Sequence, residues 1–259
     1  MAEKAIDRTR VTVMLGNSLS DRDTLAVLEL LLPESTAEIL GLYIEDSELL
    51  SLADIPVVRE YCRLTQVERR LQAGELERRF RAQARIAERT LAETAKPRGY
   101  LWSFRSLRGD PVTVLRQMLA EVDLMLIGAT TGMTPAAGHR RGVPSRQPVM
   151  VVFDLAEPGE RALRVAMQLA DAAGTGLAVA LAATQPGELP ALRQRAAELA
   201  GGRPVEYLEI TGHNTADLLK GLRRYRAGHL VLGMAADRLD EETLGLLRNR
   251  STCPILLVR

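Results

Sequence analysis

A chain of 259 residues, 46% apolar and 26% charged, is long enough to bury one large core or two of ordinary size. Its formal net charge of +1 supplies no global field for nucleic acid or membrane, and 3% aromatic content argues against a base-stacking platform. Cys62 and Cys253 lie far apart and outside any CxxC spacing, which suggests neither a zinc site nor a disulfide framework.

Arg10 to Leu15 is β-branched and apolar and breaks at Gly16-Asn17, predicting a first strand and turn. Ser20, with Asp23 three residues on, is placed to cap a helix carrying Leu25, Leu28 and Leu32 on one face. Thr36 to Ile44 reads as a second strand ending in Glu45-Asp46, and Ser47 to Leu64 as a partly helical piece interrupted by Pro56. A capping box of Thr65 and Glu68, with Val67, Leu71, Phe80, Ala84, Ala87, Leu91 and Ala95 on one stripe, predicts a long helix. It should run to about Lys96, where Pro97 and Gly99 stop it. Tyr100 to Leu107 is a third strand, followed by a turn at Gly109-Asp110-Pro111 with a cap and a proline suited to the first helical position. Val114, Leu115, Met118 and Leu119 then pack, and Leu124 to Gly128 is the fourth strand.

The plan then starts again. Pro148 to Phe153 is a strand ending at Asp154, and Glu157 to Ala173 a helix with Leu163, Ala166, Leu169 and Ala170 inward. Leu177 to Ala183 and Val205 to Ile210 are strands separated by a helix from Leu189 to Ala200. Gly212-His213-Asn214-Thr215 turns into a helix bearing Leu218, Leu219 and Leu222, and Leu230 to Gly233 is a strand matching Met125 to Gly128. Thr243 to Arg250 is a last helix and Pro254 to Val258 a last strand. Strands alternating with helices mean parallel sheets covered on both faces, and a period above a hundred residues means duplicated domains rather than a solenoid.

Between the halves, the apolar strand empties into a glycine-dotted basic loop, Gly128 to Gly142. Glycines let backbone N–H groups close around phosphate, with His139, Arg140 and Arg141 adding charge. The alternative is a connector whose basic residues face water, since glycine-rich motifs are weakly specific.

Three stretches carry a family resemblance: Val-Met-Val-Val-Phe-Asp followed by Gly-Glu-Arg-Ala-Leu-Arg (149–154, 159–164), Arg108-Gly109-Asp110-Pro111, and Cys253-Pro254-Ile255-Leu256-Leu257-Val258. The chain resembles a tandem, two-domain universal stress protein over nearly its whole length. The resemblance implies two Rossmann-like parallel-sheet αβα sandwiches, 1–146 and 147–259, of a type commonly dimerised through the last strand. Because the loop runs almost straight into Pro148, the first domain is expected to lack its last helix and strand, unless the strand from Pro148 to Phe153 serves both domains. Its sheet edge then needs cover.

Nucleotide-binding members of that family show Gly-x2-Gly-x9-Gly-[Ser/Thr] after strand four and an aspartate at the end of strand one. Gly132 and Gly142 keep the x9 spacing, but Gly128 precedes Gly132 by x3, Val143 replaces the hydroxyl residue, and Gly16-Asn17 stands where the aspartate is expected. In the second half Asp154 matches the aspartate, yet Gly233 is followed by Met234-Ala235-Ala236 and then Asp237, Asp240, Glu241 and Glu242, whose charge would repel a triphosphate. Asp154 also suits a turn cap.

Other chemistry has less support. Acidic residues opening a helix act as caps and dipole partners more often than as metal ligands. His139, His213 and His229 have no i, i+4 partner, and no serine or cysteine sits at a nucleophile elbow. The arginines at 69, 70, 78, 79, 81, 85 and 89 are interleaved with Glu68, Glu75, Glu77 and Glu88, and pairs such as Glu75 with Arg79 and Glu77 with Arg81 suit a solvated face. No apolar run reaches the roughly 18 residues of a membrane span and no signal-peptide core opens the chain, so the cytoplasm is expected.

These readings predict a non-catalytic stress-response regulatory or scaffold protein with degenerate nucleotide sites. Its halves form an internal pseudo-dimer that pairs again as a homodimer, with an unidentified protein partner, no nucleic acid and no membrane insertion. The alternative is a sensor module that holds ATP or AMP through Gly128, Gly132 and Gly142 with Arg140, Arg141 and Asn17. Hydrolysis of ATP lacks a visible base or metal ligand.

Overall fold

A computed structural model of the chain describes residues 9–16, 21–33, 37–62, 66–128, 147–211, 215–222, 225–250 and 253–259. Asn17, Ser20, Gly132, His139, Arg140, Arg141, Gly142, Val143 and His213 lie outside them. The first half supplies β1 (Thr9–Met14), α1 (Asp21–Leu31), β2 (Ala37–Asp46), α2 (Ser47–Ala53), β3 (Arg59–Cys62), β4 (Val67–Arg70), α3 (Ala73–Ala95), β5 (Leu101–Gly109), α4 (Pro111–Glu121) and β6 (Leu124–Ile127). The second supplies β7 (Val149–Phe153), α5 (Glu157–Ala173), β8 (Leu177–Ala183), α6 (Leu189–Ala200), β9 (Glu206–Thr211), α7 (Thr215–Leu222), β10 (His229–Gly233), α8 (Glu241–Arg250) and β11 (Ile255–Val258).

Nine of these strands form one sheet in the order β5-β2-β1-β6-β11-β10-β7-β8-β9. All neighbours are parallel except β6 and β11, which run antiparallel with Leu126 opposite Leu256 and Leu124 opposite Val258. Each half repeats one order, its third, second, first and fourth main-sheet strands side by side, and β11 adds a fifth. The predicted α/β architecture is therefore present. The strand that closes the first half's edge is the last one, however, and not the Pro148–Phe153 strand. β7 is held at the centre of its own half between β10 and β8, whereas all four residues of β11 are buried and apolar and suit a strand with neighbours on both sides.

Two apolar layers run across both halves. On one face Leu25 and Leu28 of α1, Leu91 of α3, Leu163 and Leu169 of α5 and Leu192 of α6 pack on the sheet. On the other face Leu115 and Leu119 of α4, Leu219 of α7 and Leu244 and Leu247 of α8 do so. Across the midline, Arg116 of α4 donates from Nε (3.1 Å) and Nη2 (2.7 Å) to the carbonyl of Leu239.

The long helix starts later than its apolar stripe predicts. Val67 to Arg70 form β4, paired antiparallel with β3, so Glu68 lies in a strand and no Thr65–Glu68 capping box opens α3; Gln72 is the N-cap and makes no side-chain cap bond. Gln66 sits at φ 54°, a left-handed turn conformation that a helix cannot pass through. The Glu60 carboxylate bridges Arg69 and Arg79 and ties the hairpin to α3. From Phe80 onward the stripe is buried as expected, and Leu76 joins it. No helix among the described residues is long and apolar enough to cross a membrane.

Candidate functional site

In open α/β sheets ligands bind beyond the carboxyl ends of the strands. Because β6 and β11 run in opposite directions, the two halves present those ends on opposite edges of the sheet. Gly128, following β6, and Asp154, following β7, therefore belong to separate sites. The connector from Gly128 to Gln147 begins and ends on the same edge, running from the end of β6 to the start of β7.

On the second half's edge, Asp154 Oδ1 accepts the N–H of Ala156 at 3.2 Å and Oδ2 accepts Arg238 Nη1 at 3.4 Å. The first bond is an Asx turn that leads into α5, the capping role open to this residue from sequence. The first turn of α5 rests directly on the end of β10. A Cβ at Gly233 would overlap the carbonyl carbon and oxygen of Pro158, and one at Gly159 would overlap the carboxylate and carbonyl of Asp154. Met234 and Leu239 fold into the core, both under 3% exposed, and the Met234 N–H donates to Val258 O at 2.8 Å. Of the acidic group that follows, Asp240 caps α8 by accepting the Thr243 N–H at 2.7 Å, and Glu242 pairs with Lys220 at 2.7 Å.

On the first half's edge, Asp21 accepts the Gly16 N–H on both oxygens, at 3.1 and 3.2 Å, and is 2% exposed. Gly16 is needed there: its φ is +139° and a Cβ would meet the Tyr43 ring at 2.8 Å. The Tyr43 hydroxyl donates to Gln83 Oε1 at 2.8 Å, and burial, with the charge of Glu45, pushes its pKa up to about 12. Asp46 accepts the N–H groups of Glu48 (3.0 Å) and Leu49 (3.3 Å), and Asp110 accepts that of Thr113 at 2.7 Å. Asp21, Asp46, Asp110, Asp154 and Asp240 thus all serve turns or helix starts. Among the described residues no group of three or more His, Cys, Asp or Glu is placed to hold a metal.

Bonds from the hydroxyl and the backbone N–H of Thr113 hold the Asp110 carboxyl below the usual range, and Thr243 does the same for Asp240. A folded-state pKa below the unfolded one adds stability that is complete above about pH 4 and is lost as pH falls through the folded value. Asp110→Ala should cost about 1 kcal/mol at neutral pH. In urea melts its difference from the parent should shrink as the pH is taken below about 4.

The acidic residues of α3 are engaged otherwise than predicted. Glu75 does pair with Arg79 at 2.8 Å, and also with Arg69 at 3.0 Å, but Glu77 pairs with Arg108 at 3.0 Å and not with Arg81. Arg108 stands 31 residues beyond Glu77, on the neighbouring strand β5, a partner that helical spacing does not reveal. A cleft of about 710 Å³ lies between the C-terminal ends of α5 and α6, lined by Arg164, Met167, Asp171 and Arg203, apart from the Asp154 edge.

No family model and no curated protein matches this chain. Solved structures do. A universal stress protein from Archaeoglobus fulgidus DSM 4304 is 14% identical, with 96% of each chain covered and a TM-score of 0.52. The cytoplasmic domain of a prokaryotic cation chloride cotransporter is 12% identical, with 96% of this chain and 95% of that one covered and a TM-score of 0.51. In fold, the chain is similar to the universal stress proteins, a mostly parallel sheet alternating with helices.

Proposed function

We propose that the chain is a non-catalytic regulatory or scaffold protein of the universal stress protein type, with degenerate nucleotide sites. The observation that carries this reading is the commitment of the strand-end carboxylates to turns and caps, together with the seating of α5 on β10 where a methyl group has no room. The two neighbours of comparable likeness are described as a stress protein and as a transporter's cytoplasmic domain, so the fold itself serves more than one role. The reading includes an unidentified protein partner and a homodimer.

A second reading, a module holding ATP or AMP in the first half, draws support from Gly16 and Gly128, two glycines that follow the adjacent strands β1 and β6 on one edge. Equilibrium dialysis with labelled ATP separates the two. No saturable uptake is expected at millimolar nucleotide. Saturable binding that disappears in a Gly132→Asp, Gly142→Asp variant would establish the sensor module instead, and ADP release above background would make the protein an enzyme.

A further inference from the structure

The β3–β4 hairpin stands apart from the nine-stranded sheet, and an isolated pair of strands is marginal in water. All four residues of β4 are exposed, and among the described residues β4 has no strand on its other side. Six of the ten large apolar side chains left exposed among the described residues lie in or just before this hairpin: Leu49, Leu52, Ile55, Val57, Tyr61 and Val67. Val57 is 82% exposed and Tyr61 60%, a concentration that marks an uncovered contact surface.

We infer that β4 is the pairing edge of a homodimer, adding antiparallel to its counterpart in a second copy to give a four-stranded sheet with β3 on each side. This rests on the homodimer reading above and supplies its surface. The last-strand edge used by the family it resembles is already consumed inside the chain, where β11 lies between β6 and β10. Of the outer strands of the main sheet, β9 carries charge of one sign, Glu206 and Glu209, and would repel its own copy. β4 carries both signs, and residues 47–71 hold four arginines and four carboxylates. With a twofold axis through Arg69, Glu68 faces the second copy's Arg70 and Val67 faces the second copy's Leu71. Arg69, which meets itself on the axis, is already neutralised by Glu60 and Glu75. The opposite charges balance, with Glu68 also 3.9 Å from Arg59 of its own hairpin, and the exposed Val67 is covered by the second copy's Leu71.

Sedimentation velocity over a range of concentrations tests this. The full chain should dimerise. Arg70→Glu and Glu68→Arg should each weaken the dimer by about tenfold or more, because each sets like charges across the axis twice. The double variant Glu68→Arg, Arg70→Glu should restore it, with the circular dichroism spectrum unchanged throughout and the melting temperature following the dimer. A dimer indifferent to all three substitutions would overturn this surface but leave the homodimer standing. A monomer at every concentration would overturn both. If that monomer instead cosedimented with phosphatidylserine vesicles, the apolar patch would belong to a lipid surface and the inference would be wrong.

Discussion

Leu256→Ala should destabilise the whole protein by about 3 kcal/mol and lower its melting temperature by about 9 °C. Leu256 is fully buried at the centre of β11, opposite Leu126 on one side and beside Val231 on the other. It joins the apolar layer that runs under α1 and α5, so the lost methyl groups leave a cavity that neither half can collapse around alone. The informative measurement is hydrogen exchange. Amides of β6 and of β10 should lose protection together, since both ladders hang on the same strand. Loss confined to β10 would mean that the halves are independent units sharing little beyond contact.

Gly233→Ala should cost a similar amount, about 3 kcal/mol. The added methyl would overlap the carbonyl of Pro158 and lie 2.5 Å from Gly159 N, all backbone atoms that no rotamer change can move aside. Either α5 lifts from β10 or the end of β10 bends, and both disturb the turn that Asp154 holds. Gly245, inside α8, is the control. A Cβ there meets nothing within 4 Å, so the same substitution should stabilise by about 0.8 kcal/mol through helix propensity. Equal effects at the two positions in urea melts would remove the close approach from the account of the second half's edge.

Local signals made most of the fold legible. Glu157–Ala173, Leu177–Ala183 and Leu189–Ala200 fall where composition and stop residues put them, and Gly174 and Gly201 end their helices at φ 63° and 60°. The hairpin was hidden because Val67 and Leu71, four apart, fit the helical stripe, while the pairing that overrides it comes from Arg59 to Cys62. At the candidate sites, the capping roles of Asp110 and Asp154 could be read from their neighbours in sequence. The ion pair of Asp154 with Arg238, 84 residues away, and the contact of Gly233 with Pro158 could not, because both depend on how β7 and β10 lie together.

A strand bonded on both flanks leaves no seam about which the lobes can swing. Opening the molecule would mean breaking a full ladder on one side of β11, so the two halves cannot rotate apart without losing those bonds. Its two carboxyl-end rims point away from each other, so a molecule held at one leaves the other free.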